Sequence, residues 1–210
     1  MGLVAINVLF EPDAATVERA RAINARLRAD VPAGFALDEV HAPHVTLVQC
    51  FVREEHVARV AEALRTMLAS VGKVDWQSRA VALYALTHEN LGLVGIVIRP
   101  TPDFVRVQAK AIATLQPFLV ATGTAEAFAP NADGSLVNQP TVDYVNGFIA
   151  TRTGENYHPH LTVGIGKLDF VEALKAEPFA AFPVTAVSVG LYQLGNFGTA
   201  RTKLHDLHRC

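Results

Sequence analysis

Two five-residue stretches of the chain have the side chains for chemistry, and they are copies of one pattern: Pro43-His44-Val45-Thr46-Leu47 and Pro159-His160-Leu161-Thr162-Val163. Each reads Pro, His, apolar, Thr, apolar, and each continues into further apolar residues, as a strand entered from a proline does. For ordinary composition a chance second copy comes to roughly one in three hundred, so the repeat is a signal. Alternation along a strand sends His44 and Thr46 to one face and Val45 and Leu47 to the other, and the same parity holds for His160 and Thr162. Histidine ionises near neutrality, so two imidazoles facing one cleft can serve as neutral base and protonated acid. That division suits in-line displacement at phosphorus: one imidazole takes a proton from the attacking oxygen while the other gives one to the oxygen that leaves. The threonine hydroxyls can hydrogen-bond the non-bridging oxygens as negative charge builds on them. This chemistry requires no metal and no cofactor.

The elements that must position these residues follow from periodicity. Leu3 to Leu9 reads as a strand, Ala14 to Leu27 as a helix, Val31 to Gly34 as a turn, and Phe35 to Val52 as the extended stretch that holds the first motif. Glu54 to Ser70 is a helix with Val57, Val60, Ala61, Leu64 and Leu68 on one stripe, closed at Gly72. Ser78 to Leu86 and Leu91 to Ile98 form a hairpin, and Pro100 to about Leu119 supplies a further helix. Ala121 to Tyr157 reads as a long loop, with two prolines, the turn signal Asp133-Gly134 and little periodicity before Val145 to Ala150; a loop of that length borders or covers a functional groove. The second motif, a short helix from about Phe170 to Ala176 and a hairpin of Phe182 to Leu194 with Ala200 to Leu207 complete the chain.

With 210 residues, half of them apolar, the chain can bury a sizeable core, and no linker divides it. A net charge of −2 argues against long DNA or RNA held by general electrostatics and favours a small ligand. No apolar run is long enough for a membrane span and no signal-peptide pattern opens the chain. Two cysteines, Cys50 and Cys210, make no disulfide framework, so a reducing cytoplasm and a monomer are the expectation.

The paired His-x-Thr-apolar motifs, a hundred or so residues apart and each on a strand, resemble those of the 2H phosphoesterase superfamily of bacterial 2′-5′ RNA ligases and 2′,3′-cyclic phosphodiesterases. The resemblance implies an α+β fold of two pseudo-symmetric lobes, each an antiparallel sheet backed by helices, around a central groove. It covers most of residues 1–210 as one bilobal domain with the long loop at about 121–157. His44, Thr46, His160 and Thr162 match the family's motifs and would be the catalytic residues. The implied activity opens 2′,3′-cyclic phosphates of nucleotides or RNA ends to a 2′-phosphate, with 2′-5′ RNA ligase activity as a companion of the same chemistry. The alternative is a nucleotide or RNA-end binding protein without turnover. Having both histidines and both threonines favours the enzyme, since binding alone would tolerate Asn or Arg there.

Around the motifs, Phe51, Tyr157, Tyr192 and Phe197 are candidates to stack a base, and Arg53, Arg152 and Lys167 to hold a phosphate. His41 and His158 flank the motifs without a counterpart in the other copy and read as loop residues, His158 as a supporting one. His56, His88, His205 and His208 read as solvated. A metal site from His41, His44, His158 and His160 lacks both zincin spacing and a suitably placed carboxylate, so no metal ligand is assigned.

Overall fold

The computed structural model describes residues 2–210 other than the side chain of His88, so the solvated reading of His88 lies outside the described residues. Among the described residues eight strands and five α-helices follow in this order: β1 Leu3–Pro12, α1 Ala14–Asp30, β2 Val45–Arg53, α2 Val57–Ser70, β3 Gln77–His88, β4 Leu91–Ile98, α3 Pro102–Leu115, β5 Leu119–Val120, α4 Gln139–Thr151, β6 His160–Lys167, α5 Leu168–Ala176, β7 Phe182–Leu194 and β8 Ala200–Arg209. Every strand pairing is antiparallel, in the order β5-β2-β1-β7-β3-β4-β6, with β8 also on β7.

The long strand β7 joins two sheets. Its first residues, Phe182 to Thr185, pair with β3, whereas Ala186 to Leu194 lie between β1 and β8. One sheet thus carries the first motif on β2 and the other carries the second on β6. Helices are set by ordinary signals: Asp13 caps α1 through the Thr16 N–H, Thr101 caps α3 through the Phe104 N–H, and Gly72 ends α2 at φ +80°. The α2 stripe is buried as its spacing predicts, at Val60, Ala61, Leu64 and Leu68.

Two readings need correction. The stretch before the first motif is strand only from Val45; residues 31–44 are turn and irregular chain. The segment 121–157 is not one long loop, because Gln139–Thr151 is a helix capped by Asn138, whose side chain accepts the Thr141 N–H. Its periodicity is diluted in the sequence by Pro140, by Gly147 and by polar residues on its wet face, and tertiary contacts supply what propensity withholds.

Both motif strands carry a β-bulge at the same place. On β2 the partner of Val8 is Val48 and that of Leu9 is Thr46, which leaves Leu47 unpaired; on β6 the partner of Val94 is Gly164 and that of Gly95 is Thr162, which leaves Val163 unpaired. A bulge frees a carbonyl and re-aims the side chains that follow. Each freed carbonyl is taken by a buried amide from a helix. Gln108 of α3 donates to Leu47 O (2.9 Å) and Asn24 of α1 donates to Val163 O (2.8 Å). Each amide also grips the approach to the opposite motif: Gln108 bonds Arg152 O and the Gly154 N–H, and Asn24 bonds Phe35 O and the Leu37 N–H. Gly164, at φ +145°, has no Cβ because one would lie 3.0 Å from the Asn24 amide nitrogen.

Candidate active site

His44, Thr46, His160 and Thr162 all line one cavity of about 580 Å³, closed on its other sides by the β3–β4 hairpin, α4 and the turn at Phe197–Gly198. The motif strands meet here although they stand far apart in the sheet order; the Tyr157 hydroxyl donates to Thr46 O (2.9 Å) and ties the two approaches together. A smaller compartment of about 310 Å³, lined by Arg152, His158 and Tyr157, adjoins it at Thr46, Tyr84, Tyr144 and His160. This volume is within the range that holds a small organic ligand.

Both imidazoles are oriented in the same way. His44 Nδ1 lies 2.8 Å from Ala42 O and His160 Nδ1 lies 2.9 Å from His158 O, in each case the carbonyl two residues earlier. A carbonyl only accepts, so Nδ1 carries the proton and Nε2 of the neutral ring keeps its lone pair for the cavity. Burial lowers the pKa of His44 to about 4 against the opposing bond to Ala42, and the nearby His160 imidazole adds to the depression. Burial likewise lowers His160, with its bond to His158 opposing and the Arg152 and His158 charges adding. With the groove empty, both rings are neutral at pH 7, and a bound anion favours the protonated form of either.

Each threonine is approached by a polar side chain from another strand. Asn7 on β1 donates to Thr46 Oγ1 at 3.1 Å, and Gln49 approaches the same oxygen at 3.5 Å. With its lone pairs engaged, the Thr46 hydroxyl turns its proton to the cavity. The amide oxygens of Asn7 and Gln49 are buried without a partner among the described residues, an arrangement that costs about 1–3 kcal/mol for each group. At the second motif the partner is Tyr84 on β3, which lies against Thr162 and meets the His160 ring edge-on with centroids 5.0 Å apart. Tyr84 reaches β6 by crossing Gly95 of β4, where a Cβ would come within 2.3 Å of its ring. Burial pushes the Tyr84 phenol up, so it stays a donor.

The remaining expectations divide. Arg152 is at the site, beside His160 and over the Tyr144 ring. It caps the C-terminus of α4 and follows Pro140, Tyr144 and Phe148, which recur every fourth residue along the groove. Tyr157 lines the small compartment, yet it is buried and its hydroxyl is engaged, so it ties backbone rather than offering a face to a base. Phe51 is 2% exposed; it packs on Phe128 and over Gly123, anchoring the segment that leads to α4. Tyr192 is buried against Leu9 and Ala200 with its hydroxyl on Glu11, away from the groove. The Lys167 ammonium sits 3.7 Å from Asp30, and neither Lys167 nor the exposed Arg53 lines the groove. His41 is half-buried and pairs with Asp38 at 3.1 Å. His56, His205 and His208 are half-buried rather than solvated, His56 against Phe118 and His208 against Trp76.

Asn7, Gln49, Tyr84, Tyr144, Asn24 and Gln108 are not singled out by the sequence. Asn7 offers one signal, a lone amide inside the apolar run Leu3 to Phe10. Among the described residues no group of three or more His, Cys, Asp or Glu side chains is disposed to hold a metal ion, and no helix is long and apolar enough to cross a membrane.

An α+β chain with two bulged His-x-Thr strands facing one groove defines a class of two-histidine phosphoesterase-like folds. The family model of the 2′-5′ RNA ligase superfamily matches residues 10–196, and the chain belongs to that family. Among solved structures it is similar to TT0787 of Thermus thermophilus, with a TM-score of 0.59 and 14% identity over 97% of each chain. It is also similar to Escherichia coli LigT complexed with 3′-AMP, with a TM-score of 0.50 and 14% identity over 100% of this chain and 98% of that one. At these identities the likeness is one of fold. No curated protein matches the sequence.

Proposed function

We propose that the protein is a metal-independent phosphodiesterase that opens 2′,3′-cyclic phosphates of nucleotides or RNA ends, leaving a 2′-monophosphate, with 2′-5′ ligation of RNA as the same ring opening by a 5′ hydroxyl in place of water. One observation carries the reading: two imidazoles share one groove, and each is locked by a carbonyl in the tautomer that presents Nε2 to it. Water attacks phosphorus opposite the 3′ oxygen and gives its proton to the neutral imidazole. The bond from phosphorus to the 3′ oxygen breaks, and the other ring, protonated when the anion binds, supplies the proton that makes the 3′ hydroxyl. Thr46 and Thr162 donate to the non-bridging oxygens, and Arg152 adds positive charge on the His160 side. Because the leaving oxygen stays tethered to the ribose, alignment does much of the work. The 3′-AMP bound by LigT is a ligand of the proposed class.

The test is incubation with the four 2′,3′-cyclic mononucleotides and with short RNA bearing a 2′,3′-cyclic end, products being identified by ³¹P NMR. A 2′-monophosphate that still forms after exhaustive EDTA treatment is the expected result. A 3′-monophosphate would reverse the orientation of the ribose, and loss of activity on chelation with rescue by Zn²⁺ would overturn the two-histidine mechanism.

A further inference from the structure

Beyond the groove lies a third cavity, of about 270 Å³, whose lining includes Arg201, His41, Asn131, Asn196 and Thr199. Phe197 and Ile165 line both this cavity and the catalytic groove, so they form the partition between the two. Phe197 is an unusual partition. It is 43% exposed, and its backbone is left-handed at φ +57°, a conformation that a bulky residue avoids unless its surroundings impose it. The surroundings do: its N–H donates to Thr141 Oγ1 of α4 (3.0 Å), and its ring stacks on Phe35, which in turn stacks on His41.

Arg201 is half-buried in this cavity, with its stem over Gly195, and its guanidinium makes no ion pair or hydrogen bond among the described residues. Asp38, which accepts from the His41 ring and from the Val40 and His41 N–H groups, makes no contact with it among the described residues. A partly desolvated cation without a partner in a cleft calls for an anion. Its place relative to the motif is fixed by the antiparallel bridge between Ala42 and Ala200. His44 stands two residues beyond one end of that bridge and Arg201 one beyond the other, in opposite directions, so their backbones are separated by about 10 Å along the strand direction. One nucleoside and an arginine side chain can span that gap. Arg152, by contrast, stands beside His160, where the proposed mechanism has it act on the reacting phosphate.

We propose that this cavity is a second phosphate subsite, in which Arg201 takes the phosphate on the 5′ side of the nucleoside whose cyclic phosphate lies between His44 and His160. The nucleoside crosses the groove at Phe197. The inference rests on the proposed activity and narrows its substrates to nucleotides with a 5′ phosphate, present either as the terminal monoester of a nucleotide or as the diester link of an RNA end.

The experiment compares kcat/KM for three substrates of one base: the cyclic mononucleotide, the same compound with a 5′-phosphate, and the dinucleotide ending in the cyclic phosphate. The 5′ phosphate should raise kcat/KM about 10-fold, as a charge-assisted hydrogen bond does. A gain in both phosphate-bearing arms assigns the subsite to phosphate as such, and a gain in the dinucleotide alone assigns it to RNA. Arg201→Ala should remove the gain while leaving the simple cyclic mononucleotide unaffected, and Arg201→Lys should restore part of it. A gain absent from the unsubstituted protein, or one that persists in Arg201→Ala, overturns the proposal. Calorimetry with nucleoside 3′,5′-bisphosphate against 3′-monophosphate needs no turnover and so separates the subsite from the proposed chemistry. Tighter binding of the bisphosphate that Arg201→Ala abolishes supports the subsite even if no substrate turns over, and equal affinities overturn it.

Discussion

The two His-x-Thr strands are alike in backbone and unlike in surroundings. Both lock the imidazole through the carbonyl two residues earlier, both bulge after the threonine, and both cap the freed carbonyl with a helix amide. The first motif then rests on amides, Asn7 and Gln49, with no fixed cation beside its imidazole among the described residues. The second rests on a phenol, Tyr84, and has Arg152 beside it. The shared parts are what the proposed acid–base chemistry at one phosphorus needs from either side. The unshared parts decide where negative charge is best stabilised, which is on the His160 side.

The comparison is tested hardest by removing the shared parts. His44→Ala and His160→Ala should each lower kcat by about 10² to 10⁴, and the double variant by little more than either, because the two act as a unit. If one substitution leaves kcat within a few fold, the symmetric division of labour is wrong. Thr46→Ala and Thr162→Ala should cost less, about 10- to 10³-fold in kcat.

The unshared parts come next. Gly95→Ala drives a Cβ into the Tyr84 ring, so it should reproduce the kinetic defect of Tyr84→Phe or exceed it, while leaving the Thr46 side intact. Asn7→Ala should disturb only the first motif. A double variant of Asn7 and Tyr84 whose losses multiply would show that the two supports work independently.

A finer test is pH. Each free imidazole has a lowered pKa, His44 at about 4, and the proposed mechanism needs one ring neutral and one protonated. The kcat/KM profile should therefore be a bell centred below pH 6.5, falling as rising pH removes the second proton and falling again below about pH 4, where His44 too is protonated. In the kcat profile the basic limb should move up, because the bound anion favours the imidazolium. The smallest effect belongs to Lys167→Ala, which lies outside the groove and should change kcat/KM less than about 2-fold; a loss as large as that of Arg152→Ala would place it in the site after all.

The sequence by itself determined the two motifs, their strands, the helical stripes and the last hairpin, because periodicity and caps act over a few neighbouring residues. It could not place Phe51 or Tyr192, since a strand has two faces and the chain that covers each comes from far away: Gly123 and Phe128 over one, Glu11 beside the other. Nor could it show the bulges at Leu47 and Val163, which exist only in a register between two strands, or the helix at Gln139–Thr151, which packing on β2 and the Asn138 cap sustain against weak local preference. Only tertiary structure brought Asn24, Gln108 and Tyr84 to motifs that lie up to 139 residues away, because a buried amide or phenol is matched to its partner through space.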